Sequence, residues 1–215
     1  MEPYKPWLQG QKEGELSKMM IPKNFLSLIN IVLCLLFING NSFAGSKDAD
    51  DKKINWLNFE DAVKLNKESP KKMFIDVYTD WCTWCKVMDR KTFKDPIIID
   101  YMNENYHAVK FNGESRDPVQ FRGKMYQFVE SEVRGYHQLA EHLLQGKMLY
   151  PTYVILDENF DILEPVRGFK EPPHMDMYLK YYGENHYKNI GYYKFRENYK
   201  SPYGYVDLRI RIPTH

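Results

Sequence analysis

Cysteine is scarce. Three occur in 215 residues, at positions 34, 82 and 85, so the chain has no disulfide framework and must hold its fold by burial. Charge of one sign is lacking too: 30 Lys and Arg against 29 Asp and Glu leave a net +1 and no basic block, which excludes the phosphate-tracking surfaces of nucleic-acid binders. No apolar run reaches the roughly 20 residues that a membrane span needs. Repeats and low-complexity tracts are absent as well. What is present is the ordinary mixture of a globular protein, 43% hydrophobic and 27% charged, with aromatics at 15% and many of the 17 Tyr late in the chain.

The first 44 residues read as a secretory signal peptide. Lys18 and Lys23 precede the apolar run Phe25 to Ile38, which only Ser27, Asn30 and Cys34 interrupt, and Ser42-Phe43-Ala44 offers small residues at the two positions a signal peptidase reads. Met19 or Met20 is the more usual start for such a signal, because the first 18 residues are long, polar and carry three Glu. Cys34 lies inside the apolar run rather than at its end, against a lipoprotein anchor. The alternative to cleavage is retention of the run as an anchor; cleavage after Ala44, favoured by the shortness of the run, leaves an exported chain, periplasmic or extracellular, formally neutral and without stable membrane insertion. Its remaining cysteines are Cys82 and Cys85. A C-x-x-C loop is too small to stabilise a fold much, so the pair reads as chemical rather than structural.

Residues 45–53 form a polar, flexible linker. Asn58 is a helix N-cap followed by an apolar stripe over Phe59, Ala62, Val63 and Leu65. Met73 to Thr79 is a short, almost wholly apolar strand of the buried central kind. Residues 83–92 continue as a helix, Asp95-Pro96 opens another, and 107–112 is a strand. Residues 113–134 show no firm element. A helix is expected from Tyr136 to Gln145 with Gly146 at its C-cap, then strands at 153–156 and 162–167 around the turn residues Asp157-Glu158-Asn159. Pro172 or Pro173 opens a helix to Tyr182, and a short helix is expected near Tyr192 to Tyr199. Strands that first alternate with helices and then form a hairpin imply an α/β sandwich around a mixed sheet.

The chemistry concentrates where the central strand ends in Trp81-Cys82-Thr83-Trp84-Cys85-Lys86. Cys82 falls at a helix N-terminus, where unpaired N–H groups and the macrodipole favour an anion and draw a thiol pKa from about 8.5 toward 3.5–7.5. Cys85 lies one turn deeper and can attack a mixed disulfide on Cys82, so Cys82 reads as nucleophile and Cys85 as resolver.

The segment FIDVYTDWCTWCK resembles the active-site strand and helix of the thioredoxin superfamily. With INWLNFEDAVKLNKESPKK before it and TFKDPIIIDYMNENY after it, it is similar to exported thioredoxin-like domains such as the C-terminal domain of DsbD, over about residues 54–183. The resemblance implies a thioredoxin-like fold with an insertion before the cis-proline strand (residues 113–149) and a Tyr-rich C-terminal extension over 184–215. It implies that Asp76, six residues before Cys82, is the buried acid that takes the resolving thiol's proton. It also implies that Pro151 is the cis-proline, with Tyr150 beside it, that Lys110 pairs with the acid, and that Gly168 follows the last strand. Trp81, Thr83, Trp84, Tyr150 and Pro151 are the expected substrate-binding residues. Thr83-Trp84 between the cysteines departs from the Gly-Pro of thioredoxin, so the direction of exchange does not carry over.

The expected activity is thiol–disulfide exchange on exported proteins, as reductase or isomerase rather than oxidase. Its partners are protein thiols or disulfides and a membrane electron donor, with no cofactor and no nucleic acid. The alternative is a thioredoxin-fold binding module, a metal or protein chaperone using the two thiols as ligands. No second ligand pair supports zinc: His137 and His142 stand far in sequence from Cys82.

Overall fold

The computed structural model describes residues 52–204. The expected signal peptide, most of the linker and the last residues of the C-terminal extension lie outside them. The chain folds in the order α1 (Phe59–Glu68), β1 (Lys72–Tyr78), α2 (Thr83–Arg90), α3 (Pro96–Asn105), β2 (Tyr106–Asn112), β3 (Val119–Phe121), β4 (Lys124–Tyr126), β5 (Phe128–Val129), β6 (Tyr136–His137), α4 (Gln138–Leu143), β7 (Thr152–Leu156), β8 (Ile162–Arg167), α5 (Pro172–Gly183) and α6 (Tyr192–Asn198). Four strands make the central sheet in the order β2-β1-β7-β8, parallel between β1 and β2 and antiparallel elsewhere. This mixed sheet flanked by helices is the thioredoxin fold.

Local chemistry sets the boundaries. Asn58 caps α1 by accepting from the Asp61 N–H at 2.7 Å, and Asp95 caps α3 through Ile97 and Ile98 with Pro96 in the first turn. Asp157 closes the β7–β8 turn by accepting from the N–H groups of Asn159 and Asp161.

Strand alternation sends side chains to two cores. Met73, Ile75 and Val77 of β1 pack with Phe59 and Ala62 of α1 and with Leu139 and Leu143 of α4. Phe74 faces the other way, toward Met88 of α2, Ile98 and Met102 of α3, and Met175 and Leu179 of α5. Its ring stacks on Tyr153 at 5.6 Å and meets Phe93 edge-on at 6.1 Å. Asp76 shares the parity of Phe74, so it is aimed at the α2 side of the sheet.

Two elements differ from the sequence expectation. Residues 113–134 hold the small antiparallel pair β3–β4 and strand β5, too short to show a period. The helix expected from Tyr136 starts at Gln138 instead. Tyr136 and His137 pair with Val129 and Phe128, and the His137 side chain caps the helix by accepting from the Leu139 N–H at 3.0 Å. The described part of the Tyr-rich extension packs against α5: Tyr192 stacks on Tyr178 at 4.5 Å, and Phe195 is buried in the core.

Candidate active site

Cys82 and Cys85 form a disulfide. Cys82 is the N-cap of α2, and its sulfur accepts from the Cys85 N–H at 3.0 Å. That donor and the helix dipole favour negative charge on Cys82 Sγ once the bond is reduced. Exposure does not separate the two, at 4% and 3%, so their roles rest on this N-cap geometry.

On the α2 side of the sheet Asp76 is 1% exposed. Its neighbours across the strands are Lys110 in β2 and Tyr153 in β7, both in register with it. The Lys110 ammonium lies 3.0 Å from Asp76 Oδ2 and also pairs with Asp89, one helical turn beyond Cys85 on α2. Asp76 Oδ1 has no hydrogen-bond partner among the described residues. Burial pushes the Asp76 carboxyl up to about 6, Lys110 opposing and Asp89 adding to the rise. An acid with that midpoint exchanges a proton readily near neutrality. Lys110, held above the ordinary lysine value by the two carboxylates, stays charged. It lines a cleft of about 730 Å³ with Asp89, Trp56, Tyr78 and Phe93, so solvent reaches the ion-pair group from that side.

Of the expected substrate-binding residues, Trp81, Thr83 and Trp84 flank the cysteines in sequence, and Tyr150 contacts Trp81. Trp81 and Trp84 are 48% and 57% exposed, and Thr83 between Cys82 and Trp84 is exposed. Trp84 packs on Phe169 at 5.3 Å. Trp81 meets the Tyr150 ring edge-on at 5.8 Å, and burial pushes the Tyr150 hydroxyl up to about 12. The Tyr150–Pro151 bond is cis, and the Pro151 carbonyl accepts from the Gly168 N–H at 2.8 Å. That last bond brings the loop after β8, with Gly168 in the left-handed region at φ 78°, alongside the proline.

Sequence reasoning missed five residues here. Asp89 was legible as the i+4 neighbour of Cys85. Phe169 and Lys170 follow Gly168, and the Lys170 ammonium, lowered by burial to about 8, bonds the carbonyls of Arg167 and Gly168. Glu114 and Arg134 come from the insertion and reach Trp81, a long-range contact with no local signal. Among the described residues, no three His, Cys, Asp or Glu side chains gather as a metal ion needs, and no helix is long and apolar enough to cross a membrane.

Residues 44–137 match the family model Thioredox_DsbH, described as a protein of unknown function, DUF255. A curated Caenorhabditis elegans protein, the uncharacterized B0495.5, is 30% identical over 67 residues, which span 31% of this chain and 9% of that protein. Solved structures resemble the chain at lower identity. A thioredoxin-fold protein from Helicobacter pylori is 17% identical, with a TM-score of 0.48 over 60% of this chain and 83% of that one. A putative disulphide-isomerase from Bacteroides thetaiotaomicron is 22% identical, with a TM-score of 0.46 over 65% and 98%. The C-terminal domain of DsbD from Neisseria meningitidis is 21% identical, with a TM-score of 0.37 over 60% and 98%. The four-stranded mixed sheet, the Cys-x-x-Cys pair opening α2 and the cis-proline before β7 are the features of a thioredoxin fold, and the stretch that resembles the Thioredox_DsbH family, residues 44–137, takes in the Cys82–Cys85 pair.

Proposed function

We propose that the protein exchanges disulfides with exported proteins through Cys82 and Cys85, as reductase or isomerase, and that a membrane-bound dithiol donor re-reduces it. The observation that carries the exchange is the N-cap placement of Cys82, with Cys85 one turn below it and a buried acid on the same side of the sheet. In the reduced form the Cys82 thiolate attacks one sulfur of a substrate disulfide. The substrate S–S bond breaks, one substrate thiolate leaves and takes a proton from water, and Cys82 is joined to the other sulfur. Cys85 then gives its proton to Asp76 and attacks Cys82 Sγ. The second substrate thiol departs, and the Cys82–Cys85 disulfide remains. Two electrons have passed to the substrate, and the external dithiol restores them.

Charge supports the reducing direction. Asp76 and Asp89 share the cation Lys110, a group of three with one net negative charge when Asp76 is ionised. Negative charge near the pair disfavours a thiolate, and strong oxidants of this superfamily are those whose reduced form is stabilised. Equilibration with glutathione tests this. A reduction potential between roughly −180 and −270 mV agrees with a reductase or isomerase, whereas a value near about −120 mV would make the protein an oxidase. The exported setting rests on the leader read in residues 1–44. Fractionation of cells expressing the full chain checks it, and retention in the cytosol would count against it.

A further inference from the structure

The insertion between β2 and β7 brings two opposite charges to the tryptophan that precedes the nucleophile. Glu114 Oε1 accepts from the Trp81 indole N–H at 2.8 Å. The guanidinium of Arg134 lies over the same ring, 4.3 Å from its centre. The Arg134–Glu114 separation is 3.9 Å, too long for a hydrogen bond. Among the described residues, no hydrogen bond uses any of the five N–H donors of Arg134, and its side chain is 55% exposed. The segment carrying it is held at both ends. Arg116 pairs with Glu130 at 2.8 Å, and the His137 N–H donates to the Gly113 carbonyl at 2.8 Å. Gly135 lies so close to Phe128 that a Cβ there would come within 2.1 Å of the ring. Arg134 is therefore a cation held over Trp81, the residue next to Cys82, paired only loosely with Glu114 and with its N–H donors in no hydrogen bond among the described residues.

We infer that Arg134 is a specificity-determining residue, which favours substrate disulfides flanked by acidic side chains by offering their carboxylate a bidentate partner. This rests on the exchange reading above. A guanidinium held over the Trp81 ring by cation–π attraction keeps N–H donors that can pair with a carboxylate. Glu114 opposes the preference at longer range, since its carboxylate repels an acidic neighbour.

Two synthetic peptides with the same mixed disulfide, one flanked by Asp and one by Lys, provide the test, with kcat/KM measured for the full mature chain. The wild type is expected to favour the Asp peptide by roughly two- to five-fold, as an exposed charge pair allows. Arg134→Gln should bring the ratio close to one. Glu114→Gln keeps an oxygen for the indole N–H and removes the repulsion, so it should raise the ratio. Opposite shifts support a charge effect. An unchanged ratio in Arg134→Gln, or both variants moving the ratio the same way as a loosened Trp81 would, overturns the assignment and leaves the exchange reading standing. Failure of the wild type to turn over either peptide overturns the exchange reading and this one with it.

Discussion

Asp76→Asn isolates the cost of a carboxylate buried on the α2 side of the sheet. In the folded protein burial pushes the Asp76 carboxyl up to about 6, from an ordinary value of 3.8. A raised midpoint means that the folded state prefers the neutral acid. Below about pH 4 both states carry it protonated, and the buried group costs nothing extra on this count. Between pH 4 and 6 the unfolded chain ionises first, so wild-type stability declines; above pH 6 the full penalty applies. A difference of about two pH units corresponds to roughly 3 kcal/mol. Asparagine keeps the shape and never ionises, so its stability relative to wild type should climb by up to that amount from pH 4 to pH 7. Lys110 loses one of its two counter-charges in the variant and retains Asp89, which returns part of the gain. We expect about 1–3 kcal/mol, or roughly 2–12 °C in Tm for a chain of this size. Thermal unfolding of the oxidised protein at several pH values reads it directly. If Asp76 takes the Cys85 proton as proposed, the same variant should slow release of the mixed disulfide more than its formation. A stability gap that stays flat from pH 4 to pH 7 would refute the buried-acid reasoning.

The Lys110 pairings predict opposite titration shifts, readable by NMR of the Asp76 carboxyl carbon. Lys110→Met should raise its midpoint above about 6, and Asp89→Asn should lower it; a shared direction would mean that Lys110 does not bridge the two. Phe74→Ala should cost about 3–5 kcal/mol in urea unfolding, because it empties the contact with Tyr153 and Phe93 at the centre of one core; a loss under 1 kcal/mol would contradict the packing described.

Much of this site was legible because its signals are local. A strand that runs straight into Cys-x-x-Cys fixes where the helix must begin, and strand alternation from Phe74 to Asp76 fixes which face the acid takes. Tyr150-Pro151 precedes a strand whose apolar run marks it as central. The insertion was not legible for equally physical reasons. Strands of two or three residues carry no period, and β3 to β6 are of that length. His137 served as a helix cap in place of the usual Ser, Thr, Asp or Asn, so the start of α4 was read two residues early. Glu114 and Arg134 reach Trp81 only after the chain has folded back, and nothing in their neighbours announces that. Asp89 lay within reach of the sequence, since helix spacing alone sets it one turn from Cys85.

The most direct test of the exchange mechanism is trapping with single-cysteine variants. Cys85→Ser should accumulate mixed disulfides with exported proteins through Cys82, because attack proceeds and resolution cannot. Cys82→Ser should accumulate few, since Cys85 is not at the helix N-cap. Equal trapping by both variants, or none by either, would contradict the assignment of Cys82 as nucleophile and Cys85 as resolver.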